Sequence, residues 1–139
     1  MLNRTRIRVI YADTDAMGIV YHANYLKWFE VGRTELFRDL GIVYADWKSV
    51  GVTMPVTRAF CHYLLPAYYD DLIIVETEIE YVRRASIKFR NLIKREDDQA
   101  LLVTGYTVHA CLNREGRIIR LPERMLSMIA ERGNKQPAG

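Results

Sequence analysis

Asp13 and Asp15, within the segment YADTDAMGIVYHANYLKWFE from Tyr11 to Glu30, are the carboxylates whose setting points to chemistry. They follow a strand-like run, Gly18 permits a tight turn just after them, and helical periodicity begins at about His22. A carboxylate facing a helix N-terminus can act on a carbonyl carbon, by direct attack or through an activated water. The unbonded N–H groups of the first helical turn then hold the oxygen as it gains charge.

Other chemistries use similar residues and have to be weighed. Asp13-x-Asp15 with Gly18 imitates the opening of a calcium loop, but Met17 holds the third ligand position and Asn24 the bidentate twelfth. A phosphoaspartyl site would need several parallel strands, and the later part of the chain reads as hairpins. His22, His62 and His109 are too scattered for a zinc signature, and no G-x-S-x-G is present. His109 falls in a strand and reads as a satisfied structural histidine. Spacing alone leaves Asp15 divided between a reactive carboxylate and a loop cap, with Asp13 the better structural candidate.

The elements that must position these groups are legible from periodicity. Arg4 to Tyr11 alternates as a strand with Ile7, Val9 and Tyr11 on one side. Tyr25, Leu26, Phe29, Leu36, Phe37 and Leu40 recur at helical spacing, and Gly41 is a natural residue to follow the helix end. The helix therefore runs from His22 or Asn24 to Leu40, with Gly32 on its apolar side where a sheet can approach closely. From Val52 the period becomes two. Strands are expected over Thr53–Leu65, Leu72–Tyr81, Ser86–Arg95, Ala100–Leu112 and Arg117–Leu121, followed by a short helix after Pro122. A hairpin at Arg83-Arg84-Ala85 sets Glu78 opposite Arg90 and Glu80 opposite Lys88, pairs contributing about 0.2–1 kcal/mol each.

The bulk properties fit an ordinary globular domain. The 139 residues suffice for one core, half are hydrophobic, and a net charge of +3 is spread over interleaved basic and acidic residues, which argues against a nucleic-acid partner. Cys61 and Cys111 lack metal-ligand spacing and are expected as buried, reduced thiols. No run approaches the roughly 20 apolar residues of a membrane span and no leader segment is evident, so a cytoplasmic location is expected.

The segment YADTDAMGIVYHANYLKWFEVGRTELF, together with HYLLPAYYDDLIIVETEI, the RRAS turn and GRIIRLP, resembles the hotdog-fold acyl-CoA thioesterases of the 4-hydroxybenzoyl-CoA thioesterase family, within them the Tol-Pal-associated group. The resemblance covers nearly the whole chain. It implies an α+β hotdog domain over residues 1–133, with an antiparallel five- or six-stranded sheet wrapped around one long helix, and a disordered tail over residues 134–139. It also implies a homodimer or homotetramer and hydrolysis of acyl-CoA to free acid and coenzyme A, with no cofactor or metal. In that family's pattern Asp15 is the catalytic carboxylate, and the backbone N–H of His22 polarises the thioester carbonyl. Gly18, Val20, Tyr21 and Tyr25 line the substrate, while Arg83 and Arg84 clamp coenzyme A phosphates. Peripheral association with a membrane complex is a further implication, and a non-catalytic acyl-CoA-binding scaffold is the alternative. Two positions depart from the pattern. His62 stands where an acidic residue is common, and Gly32 replaces a frequent alanine.

Overall fold

The sixteen-residue helix α1, Asn24–Asp39, buries Tyr25, Trp28, Phe29, Gly32, Leu36 and Phe37; of the stripe anticipated from spacing, Leu26 alone faces outward. Its end is a Schellman closure. Gly41, at φ +84°, donates its N–H to Arg38 O at 2.9 Å, and Ile42 donates to Phe37 O at 2.7 Å. Ile42 is thereby turned into the core, fully buried.

The computed structural model describes residues 1–133; the expected disordered tail, residues 134–139, lies outside them. Strands β1 (Leu2–Arg8), β2 (Val56–Tyr63), β3 (Leu72–Val82), β4 (Ser86–Arg95) and β5 (Leu101–Ala110) form one antiparallel sheet in the order β1-β3-β4-β5-β2. The sheet curves around α1, the α+β architecture that the resemblance implied, with five strands. Two further helices, α2 (Tyr44–Ser49) and α3 (Glu123–Gly133), complete the described chain.

Two glycines allow the helix to lie close on the sheet. A Cβ on Gly32 would collide with Thr77 Oγ1 and come within 2.9 Å of Val75 Cγ1. A Cβ on Gly105 would run into the Phe60 carbonyl and to within 2.6 Å of the Phe29 ring. Around these contacts the core divides along the helix. Tyr25, Trp28 and Phe29 pack with Ile73, Val75 and Val103, and Leu36, Phe37 and Leu40 pack with Ile87, Phe89 and Met125.

Several expectations are corrected. The first strand stops at Arg8 because a 3-10 turn, Tyr11–Asp13, follows it; Val9 stays buried but Tyr11 is 79% exposed. Residues Arg117–Leu121 form no strand. Ile118 makes an isolated bridge to Leu112, while Ile119 and Leu121 donate their N–H groups to Cys111 and Arg84 on different segments, so no ladder develops. The second strand begins at Val56 rather than Thr53, and seven of its eight positions are exposed, Cys61 alone being partly buried, because β2 is the sheet edge. Cys61, on that edge, is consequently only partly buried, whereas Cys111 is buried; both are free thiols. The β3–β4 hairpin forms as expected and pairs Glu78 with Arg90, but a bulge between Ile79 and Tyr81 puts Tyr81 opposite Lys88. Lys88 Nζ still reaches Glu80 at 2.6 Å. In α3 Met125 is buried but Leu126 faces outward.

His109 is the structural histidine anticipated, 3% exposed. Its Nδ1 lies 2.9 Å from Met54 O, which can only accept, so Nδ1 carries the hydrogen; Nε2, 2.9 Å from Thr107 Oγ1, accepts from that hydroxyl. Burial, reinforced by the nearby Arg33 charge, pushes the imidazole down to about 4.

Two outcomes are expected. Gly105→Ala should lower the unfolding free energy by about 1–3 kcal/mol in urea titration, since the added methyl meets main chain that cannot yield. For His109 the folded state resists protonation more than the unfolded chain, whose imidazole titrates near 6.5. The unfolded chain therefore binds more protons between the two values, and stability present above about pH 6.5 is lost as pH falls toward 4. By pH 5 the loss should reach about 2 kcal/mol, and His109→Gln should show a smaller drop between pH 7 and 5 in the same titration.

Candidate active site

Asp13 is 6% exposed and organises the approach to α1. Its carboxylate accepts the Ile10 N–H at 3.0 Å through Oδ2 and the Lys27 ammonium at 3.0 Å through Oδ1. Its carbonyl accepts the Tyr21 N–H at 2.9 Å and the Asn24 side-chain amide at 2.8 Å. One residue thus joins the end of β1, the return of the loop and the first turn of the helix.

Between these attachments the chain makes a small hairpin. Asp15 donates its N–H to Ile19 O at 2.9 Å, and its carbonyl accepts from Gly18, which turns at φ +80°. Thr14 bridges Val20, and Val20 donates to Ala67 O. The Asp15 carboxylate is partly exposed and accepts only the Met17 N–H, at 2.9 Å, among the described residues. Asp13 is thus the enclosed, fully employed carboxylate of the pair, and Asp15 the accessible one.

His22 follows Tyr21 directly, two residues before α1 begins. Its N–H has no acceptor among the described residues, leaving a donor at the positive end of the helix dipole. The imidazole is exposed, 4.5 Å from the Tyr21 ring, which is itself exposed. Tyr25, buried, receives the Ala67 N–H on its hydroxyl at 3.3 Å, and burial pushes its phenol up.

An open, largely apolar groove of about 260 Å³ runs beside these groups, lined by Val20, His22, Tyr25, Tyr63, Leu64 and Leu65. Gly18, Val20, Tyr21, Tyr25, Asp15 and His22 are therefore gathered in one region. Arg83 and Arg84 are not. They occupy the hairpin at the far end of β3, whose first residues flank the Asp13 loop, and the Arg83 guanidinium stacks 4.0 Å over Tyr81.

Tyr63 is a site residue that periodicity did not single out. Its hydroxyl donates to His22 O at 3.0 Å, and its ring lies 5.5 Å from Tyr25. Partial burial, with a hydrogen bond to Cys61, holds its phenol up at about 12, so it stays a donor at ordinary pH. Its position in the run HYLLPA was the only signal available from sequence.

The model of the thioesterase-like superfamily matches residues 9–130 of this chain. The chain belongs to that superfamily. It is 38% identical over 109 residues to the acyl-CoA thioesterase YbgC of Haemophilus influenzae, covering 77% of this chain and 78% of the relative. The acyl-CoA thioester hydrolase YbgC of Escherichia coli is 35% identical over 100 residues, covering 72% and 75%. Among solved structures, the DHNA-CoA thioesterase of Staphylococcus aureus superposes with a TM-score of 0.87 at 31% identity, over 96% of this chain and 93% of that one. The fold is the hotdog fold of these thioesterases. No helix among the described residues is long and apolar enough to cross a membrane.

Removing the Asp13 carboxylate should act on structure. Asp13→Ala leaves the Ile10 N–H without its acceptor and is expected to cost about 1–3 kcal/mol in chemical denaturation. Lys27→Met, which strips the enclosed carboxylate of its charged partner, should cost a comparable amount in the same measurement.

Proposed function

We propose that this protein hydrolyses acyl-CoA thioesters, with Asp15 as the reacting carboxylate and the His22 N–H as the donor to the thioester oxygen. The observation that carries the reading is the His22 N–H, without an acceptor among the described residues, at the helix N-terminus beside an accessible carboxylate and an apolar groove. Membership of the thioesterase-like superfamily and similarity to acyl-CoA thioesterases support the reaction class.

The geometry suits this division of labour. Asp15 takes a proton from water, the hydroxide oxygen bonds to the carbonyl carbon, and the resulting oxyanion rests on the His22 N–H. The C–S bond then breaks, releasing coenzyme A thiolate and the free acid. In the direct form Asp15 itself bonds to the carbonyl carbon and expels the thiolate, and water opens the anhydride. Thiolate leaves readily, so neither route needs a strong acid, and no titrating side chain has to stand at the sulfur.

The reading includes a homodimer formed along β2. This edge carries Val56, Phe60 and Tyr63 in exposed positions, followed by exposed Leu64 and Leu65, and a strand edge of this length invites a second strand. Antiparallel pairing about the middle of β2 sets the Tyr63 end of one strand beside the Val56 end of the other. The Arg83–Arg84 hairpin, at the Val56 end of the sheet, then approaches the partner's site, where its guanidinium groups meet coenzyme A phosphates. Pairing of two such dimers gives the homotetramer, and acyl-CoA as substrate fits a cytoplasmic enzyme.

Coenzyme A release from a panel of short, long and aromatic acyl-CoAs tests the assignment. Asp15→Asn should reduce kcat by about 10²-fold or more; near wild-type turnover would remove Asp15 from the mechanism. His22→Pro, which deletes the N–H, should lose about 10²–10³-fold, and His22→Ala far less. Equal, mild losses for both would remove the backbone donor, and binding without any release of coenzyme A would mark the protein as a carrier.

A further inference from the structure

A second cavity lies between the middle of α1 and the Met54 end of the sheet, and nothing described so far uses it. It holds about 120 Å³, near the ~150 Å³ of a cavity that takes one benzene molecule. Phe37, Phe89 and Met54 form apolar walls. His109 closes one side as a neutral group, both ring nitrogens being engaged by Met54 and Thr107. The Tyr44 hydroxyl accepts the Met54 N–H at 3.0 Å, which leaves its own proton free to donate.

Arg33 supplies the charge. Its side chain is 18% exposed, and its nearest carboxylate, Glu30 Oε1, is 3.7 Å away on a side chain that is 66% exposed. That separation is beyond hydrogen-bonding distance, and a loose pair with an exposed partner contributes little. A guanidinium carries five donors in a planar fork matched to a carboxylate. Among the described residues Arg33 has no acceptor within that fork, and it faces a cavity of small-molecule size whose lining is part apolar and part polar, with Glu30 at its border.

We infer that this cavity receives the far end of the acyl group and that Arg33, with the Tyr44 hydroxyl, selects acyl groups ending in a carboxylate. The inference rests on the proposed thioester hydrolysis and on the β2 dimer. Within one chain Arg33 stands eleven residues beyond His22, about 16 Å along the helix, too far for a short acyl group. Across the dimer the distance closes. Tyr63 ties one end of β2 to His22, while the other end, Val56, is in register with His109 on the cavity wall. Antiparallel pairing of the two edges therefore opens the His22 site of each protomer toward the Arg33 cavity of its partner.

The test compares glutaryl-CoA and adipyl-CoA with hexanoyl-CoA and heptanoyl-CoA, uncharged and of matching length. The ratio of kcat/KM, charged over uncharged, is measured for the wild type, Arg33→Met and Arg33→Lys. The wild type should favour a charged member by about tenfold or more. Arg33→Met should bring that ratio to about one or below, with Arg33→Lys between, since lysine keeps the charge but not the fork. A wild-type ratio near one, or a ratio unmoved by both substitutions, overturns the inference while hydrolysis stands. Failure to release coenzyme A from all four while a long or aromatic acyl-CoA is hydrolysed overturns this inference alone; failure with every acyl-CoA overturns the proposed hydrolysis, and this inference with it. Should Arg33→Met fail to fold, the wild-type ratio and Arg33→Lys decide.

Discussion

The buried carboxylate of Asp13 is the fixed point of this molecule's candidate site. By accepting the Ile10 N–H and the Lys27 ammonium it anchors strand, turn and helix to one another, and its carbonyl holds the returning chain at Tyr21 and Asn24. A carboxylate this enclosed needs such partners, because an unpaired buried charge is strongly unfavourable. Satisfying Asp13 leaves the carboxylate two residues away with a single hydrogen bond among the described residues, from the Met17 N–H. The difference in enclosure between the two aspartates thus follows from how their surroundings divide the available donors.

A second constraint is the close approach of α1 to the sheet. Gly32 meets Thr77 and Val75, and Gly105 meets Phe29 and Phe60. With side chains absent at both positions, the aromatic residues on either side can fill the space at interior density. The bulges between Val56 and Arg58, between Ile79 and Tyr81 and between Ile93 and Lys94 interrupt the register along the strands, adding local twist that lets the sheet bend around the helix.

Much of this was legible in the sequence. The helix announced its ends through its apolar spacing and Gly41, the hairpin at Arg83–Arg84 through its matched acidic and basic faces, and the DxD turn through Gly18. The unequal settings of Asp13 and Asp15 were visible only as a tendency; burial and hydrogen bonding distinguish them. Other features had no local signal. Helix α2 is six residues long, too short for a period to emerge. Arg117–Leu121 alternates like a strand, yet its N–H groups go to separate segments. Tyr63 and Arg33 acquire their settings from contacts between distant parts of the chain, which no window of sequence contains. Arg83 and Arg84 were read from a turn, and a turn does not state which end of the sheet it will occupy.

The hydrogen bond from Tyr63 to His22 O joins an edge strand to a helix mouth, two parts of the fold that among the described residues otherwise meet through side-chain packing. It makes them a single mechanical unit. A displacement of that strand is carried through one phenolic oxygen to the peptide group following His22, so the helix entrance answers to the sheet's outermost rung as well as to Asp13.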